Sequence, residues 1–136
     1  CCFPGKFSLL RYNRLPCVCS FTDIFLYDGA DYFDIGCNFG RENSPNITFF
    51  VQEDCFGDSL ASFFIGKLKN NKDFEWWGTP NIYKYSVFLE ILSEIENSIV
   101  DITRSEEDNF KARFVFYARK LLEHFPSSSE VYVRGP

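Results

Sequence analysis

The chain has no methionine, two tryptophans and one histidine, His124, among 136 residues. A single imidazole leaves little material for a zinc centre, which takes about four nitrogen or sulfur ligands. There is no Cys-x-x-Cys, no Gly-x-Ser-x-Gly, no phosphate-binding glycine loop and no Gly-x-Gly-x-x-Gly. A metalloprotease helix and a calcium loop are missing too, so no assembled catalytic or cofactor motif is present. No apolar run approaches the roughly 18 to 20 residues that a spanning helix needs. Basic residues are the minority, 14 against 19 acidic, for a formal charge of −5. That balance lacks the basic face by which a nucleic-acid binder neutralises phosphates.

What is abundant is aromatic carbon. Seventeen Phe and seven Tyr join the two Trp, and aromatics reach 19%. This excludes intrinsic disorder, because disordered chains cannot bury enough apolar surface to offset the entropy of ordering. The length suits one domain over 1–136.

Six cysteines, Cys1, Cys2, Cys17, Cys19, Cys37 and Cys55, could close three disulfides with 15 connectivities. A chain with this much apolar material does not need such staples, and adjacent or alternate pairs suit no compact framework. The expectation is reduced thiols in a cytoplasmic protein, with Cys37 and Cys55 buried as small hydrophobes. A secreted or lipid-anchored alternative draws on the Asn46-Ile47-Thr48 sequon and on the cysteine at position 1.

The first half has strand character. Ser20–Tyr27 is followed by Asp28-Gly29, a hairpin signal, and a short strand around Phe7–Leu10 could precede it. Phe33, Ile35, Cys37 and Phe39 then alternate with Tyr32, Asp34, Gly36 and Asn38. After the loop Gly40–Pro45, the residues Ile47, Phe49 and Val51 alternate again, which predicts a meander with one buried face. The second half switches to helical period. Asp58 caps a short helix through Leu60, Phe63, Phe64 and Leu68 that holds Gly66 and ends at Asn70-Asn71. Thr79-Pro80 opens a second helix running from Ile82 to Ile99. Thr103 with Glu106, or Ser105 with Asp108, caps a third, which carries Phe110 to Phe125 and stops at Pro126. Glu130–Arg134 is a returning strand. The expected fold is therefore α+β: a three- to five-stranded, mainly antiparallel sheet packed against three helices.

The candidates for chemistry are few. His124, near the end of the last helix, suits a helix C-terminus better than a catalytic base. Glu53, Asp54 and Asp58, or Asp28, Asp31 and Asp34, would need to converge in a cleft to act, and caps and turns explain each. Two features stand out instead. Trp76-Trp77 lie between Asp73, Glu75 and Thr79-Pro80, and neighbouring side chains on an extended segment point opposite ways. From Ser86 to Phe110, seven acidic side chains meet one arginine.

A compact acidic domain with an exposed tryptophan fits a protein-binding inhibitor rather than an enzyme, with no cofactor and no metal. The bacterial immunity protein, which blocks a basic nuclease-type toxin by charge complementarity and a few anchors, is similar in size and charge, and the expectation is analogy on those two properties. The partner-binding residues would be Asp73, Glu75, Trp76 and Trp77, with Glu90, Glu94, Asp101, Glu106, Glu107 and Asp108. The alternatives are a small enzyme or ligand-binding domain using a sheet–helix crevice, and the secreted or anchored interaction domain.

Overall fold

The computed structural model describes residues 31–45 and 47–136. Four strands, β1 (Tyr32–Cys37), β2 (Thr48–Gln52), β3 (Pro80–Lys84) and β4 (Glu130–Arg134), form an open antiparallel sheet in the order β2-β1-β4-β3. The helices are α1 (Glu53–Ser59), α2 (Ala61–Phe64), α3 (Tyr85–Asn97) and α4 (Glu106–Leu122), with a single tight turn at Lys69–Asn71. The expected α+β class is borne out.

Alternation in β1 buries Phe33, Ile35 and Cys37 on one face. Ile35 lies opposite Phe49 of β2 and Val133 of β4, so apolar residues line up across three strands. The helices close over this face. Phe33 stacks on Phe56 of α1 at 4.2 Å between ring centroids, and Phe49 meets Phe114 of α4. Phe64 touches the rings of Tyr83, Phe88 and Phe114. Among the described residues most of the aromatic rings lie in or against the core, each buried Phe contributing about 1.5–3 kcal/mol by area.

Several expectations need correction. Phe39 does not continue the buried face: Asn38 takes φ 54°, the strand ends at Cys37, and Phe39 turns onto the opposite face against Tyr132. Asp58 is no cap but sits in α1, which starts directly from β2 at Glu53. The helix expected through Leu68 is broken into α1 and α2 and ends before Gly66, whose φ of 85° is left-handed. Pro80 opens a strand, not a helix, and α3 begins only at Tyr85.

The returning strand is present, but it lies inside the sheet. β4 pairs with β1 on one side and β3 on the other, so both edges of β1 are occupied, by β2 and β4. The expected strands at Phe7–Leu10 and Ser20–Tyr27 and the Asp28-Gly29 turn lie outside the described residues. At α4 the Ser105–Asp108 cap forms, Ser105 Oγ accepting from the Asp108 amide at 3.1 Å. Thr103 instead donates to Asp101.

Candidate functional site

Between the Lys69–Asn71 turn and β3, burial alternates residue by residue. Phe74 and Trp76 pack inward, while Asp73, Glu75 and Trp77 are exposed. That is the period of an extended stretch, and it separates the adjacent tryptophans. The Trp76 ring meets Phe33 edge-on at 4.9 Å and Phe56 and Phe74 at 6.1 Å. Its indole Nε1–H donates to Glu53 Oε2 at 2.5 Å, satisfying the one polar group of an otherwise apolar anchor. Trp77 is 62% exposed.

A second fastening comes from Asn81 of β3, which is 1% exposed. Its Oδ1 accepts from the Glu75 amide at 2.7 Å, and its Nδ2 donates to the Glu75 and Val133 carbonyls, both at 2.9 Å. The side chain therefore ties the segment to the sheet as a backbone strand would. Beyond Trp77 the chain reverses tightly: the Thr79 amide bonds the Trp77 carbonyl at 2.8 Å across Gly78, whose φ is 72°. That three-residue turn needs a positive φ, which glycine alone adopts cheaply. From the other side Gly135 lies against the Trp76 carbonyl, where any Cβ would overlap it. Trp77 is thus an exposed ring on a fixed loop.

The acidic candidates do not gather in one place. Asp73 and Glu75 share the outward side of the Trp77 segment. Glu90 and Glu94 lie on α3 beside an open groove of about 910 Å³ that also takes in Lys67, Lys84 and Ser93, and Lys67 pairs with Glu94. Asp101, Glu106, Glu107 and Asp108 sit beyond the C-terminal end of α3, a helix roughly 20 Å long that starts at β3.

At that far end the carboxylates serve the fold. Asp108 Oδ2 accepts from the Val100 and Asp101 amides, and those bonds hold its carboxyl below the usual range. The Thr103 hydroxyl and amide do the same for Asp101. Glu107 lies 3.8 Å from Lys111, while Glu106 is exposed in the first turn of α4. Neither Asp73 nor Glu75 forms an ion pair among the described residues.

Among the described residues the remaining titratable groups do not converge. Asp34 is raised by burial, against the lowering pull of Arg134, whose Nε donates to it at 3.1 Å. Tyr132, pushed up to about 12 chiefly by burial, lies on the same outer sheet face. Burial draws Arg113 of α4 down to about 10 and pushes the Cys37 thiol up to about 12. Cys55 is buried as well, as expected for both cysteines. His124 is exposed beyond the end of α4. Glu53 holds Trp76, and Asp54 and Asp58 face solvent. Among the described residues no three His, Cys, Asp or Glu side chains group as a metal site would require, and no helix is long and apolar enough to cross a membrane.

Sequence reasoning passed over Asn81 and Gly135, and it weighed Glu53 as a cleft carboxylate rather than as the partner of the Trp76 indole. Asn81 carries no signal, since a polar residue at an inward strand position resembles a turn former. Comparison with protein-family models, curated proteins and solved structures returned no match. The site therefore rests on its own geometry: an exposed indole held on a fixed loop beside two carboxylates with no cationic partner among the described residues.

Proposed function

We propose that this chain is a protein-binding inhibitor of the immunity-protein kind, one that occupies a basic, nuclease-type bacterial toxin in the cytoplasm. The single observation behind the reading is Trp77, exposed on a loop that Trp76 and Asn81 hold in place, with Asp73 and Glu75 on the same side. A large aromatic side chain that is already ordered loses little entropy on binding, which is why tryptophan is enriched at hot spots. Carboxylates around it raise the encounter rate with a cationic surface and discriminate against acidic ones. The far-end residues Glu106 and Glu107 lie outside the main contact, because Asp101 and Asp108 beside them are engaged by the loop itself.

The test is capture from the source cell with the immobilised protein at low and high salt. A basic protein is expected, bound less tightly as salt rises. Trp77→Ala should weaken binding by about 2 kcal/mol or more, roughly thirtyfold in Kd, and Glu106→Lys with Glu107→Lys should change it far less. A partner bound equally by Trp77→Ala, or one that is acidic, would remove the reading.

A further inference from the structure

We infer that Trp77 and Glu75 together receive an arginine side chain of the partner, the guanidinium lying on the indole face and pairing with the carboxylate. This rests on the inhibitor reading and names the chemistry of its main contact. Three observations carry it. Asp73, Glu75 and Trp77 alternate with half-buried Phe74 and Trp76, which pack against the core, so the three share one side of an extended segment. Residues two apart on such a segment are separated by about 6.6 Å, which lets one planar group reach a ring and the next carboxylate together. Second, neither carboxylate is paired with a cation among the described residues, so both are open to one from outside. Third, the backbone at Glu75 is held at both its N–H and its C=O by Asn81, so the carboxylate projects from a fixed point.

Arginine fits this arrangement better than lysine. Its guanidinium is flat, stacks on an aromatic face within about 6 Å of the ring centre, and offers a fork that matches a carboxylate. An ammonium group is a hydrated point charge that satisfies the carboxylate and is drawn to the ring, but it has no flat face to stack there and no fork. Asp73, one step further along, adds negative potential on the side from which the cation approaches.

The experiment titrates the ¹⁵N-labelled protein with acetylated, amidated Gly-Arg-Gly, with the Lys and citrulline versions as comparisons. The readouts are the Trp77 indole N–H and the Glu75 amide. The Trp76 indole, bonded to Glu53, serves as an internal reference. Saturable shifts at Trp77 and Glu75 with the arginine peptide are expected, weaker with lysine and absent with citrulline, which keeps the shape but loses the charge. Glu75→Gln should weaken the arginine peptide about two- to fivefold, as for an exposed ion pair, and Trp77→Ala should remove the shift at Glu75. Equal shifts from citrulline, no shift at all, or a Glu75→Gln titration matching the parent would overturn the inference. If capture of a basic partner still depends on Trp77 in that case, the inhibitor reading stands and only the arginine assignment falls. Loss of both would show that the loop is no interface.

Discussion

Replacing Asn81 isolates what holds the Trp77 loop. In Asn81→Ala the Glu75 amide, the Glu75 carbonyl and the Val133 carbonyl each lose a partner at 2.7–2.9 Å. The two groups of Glu75 lie near solvent and can recruit water, but Val133 is fully buried. Val133 still faces the Asn81 backbone across the β3–β4 ladder, so its carbonyl loses one bond rather than its only one, and at about 1 kcal/mol per lost bond a loss of about 3 kcal/mol is expected. Asn81→Asp is the sharper variant. One carboxylate oxygen still accepts from the Glu75 amide, while the other faces two carbonyls and has nothing to offer unless it is protonated. The folded-state pKa of the new carboxyl therefore rises above its unfolded value. A raised acid binds more protons in the native state, so the deficit is largest above the folded pKa and shrinks as pH falls toward the unfolded value near 3.9. Urea unfolding of parent and both variants at pH 8 and pH 5 measures this directly, with acrylamide quenching of tryptophan as a second readout. An Asn81→Asp protein within about 0.5 kcal/mol of the parent at pH 8, or equally impaired at both pH values, would refute the clamp, since surface-type changes stay within that margin.

Three further outcomes follow from the packing. The native Cys37 thiol, pushed to about 12 by burial, should alkylate at pH 8 about a thousandfold more slowly than in denaturant, where the thiol is near 8.5; mass spectrometry after timed labelling decides it. Gly36→Ala would set a methyl 2.7 Å from the Tyr132 ring, too close for any real contact, so the ring must leave Gly36 and its edge contact with Phe39. A cost of about 1–3 kcal/mol, as for overpacking, should appear in thermal unfolding, and Tyr132→Ala in the same chain should relieve it. Because burial raises Asp34 despite Arg134, that carboxyl costs stability above its folded pKa and not below its unfolded one. The stability of Asp34→Asn relative to the parent should therefore be more favourable at pH 7 than at pH 3.5, and an unchanged difference across that range would show that the charge of Arg134 fully offsets burial.

Much of this architecture was legible wherever apolar residues repeat at the period of their element. The alternation in β1 and β2 and the returning strand were readable for that reason, and the Ser105 cap of α4 was one of two that the polar spacing offered. The failures occur where a polar residue faces inward or where spacing coincides. Ile82 lies three residues before Tyr85, so it joined the helical series by accident, and Asn81 hid the inward side of β3 because its burial depends on hydrogen bonds rather than apolar area. The transition from β2 straight into α1 has no turn residues to announce it. At the site, the split between Trp76 and Trp77 followed from alternation. The division of carboxylates between loop support and solvent did not, because their partners are backbone amides brought together by the turn after α3.

The place of β4 also bears on how the chain is made. Asp34 and Arg134, joined across the middle of the sheet, are 100 residues apart in sequence. At about 5–20 residues per second, β1 and β2 leave the ribosome some 5–20 s before the strand that must lie beside them. Throughout that interval Phe33, Ile35 and Phe49 have no complete core to enter, and the inner edge of β1 lacks its second neighbour. The nascent protein therefore passes through a sticky stage whose length is set by translation, and slower elongation between α1 and β4 should increase its demand for chaperones.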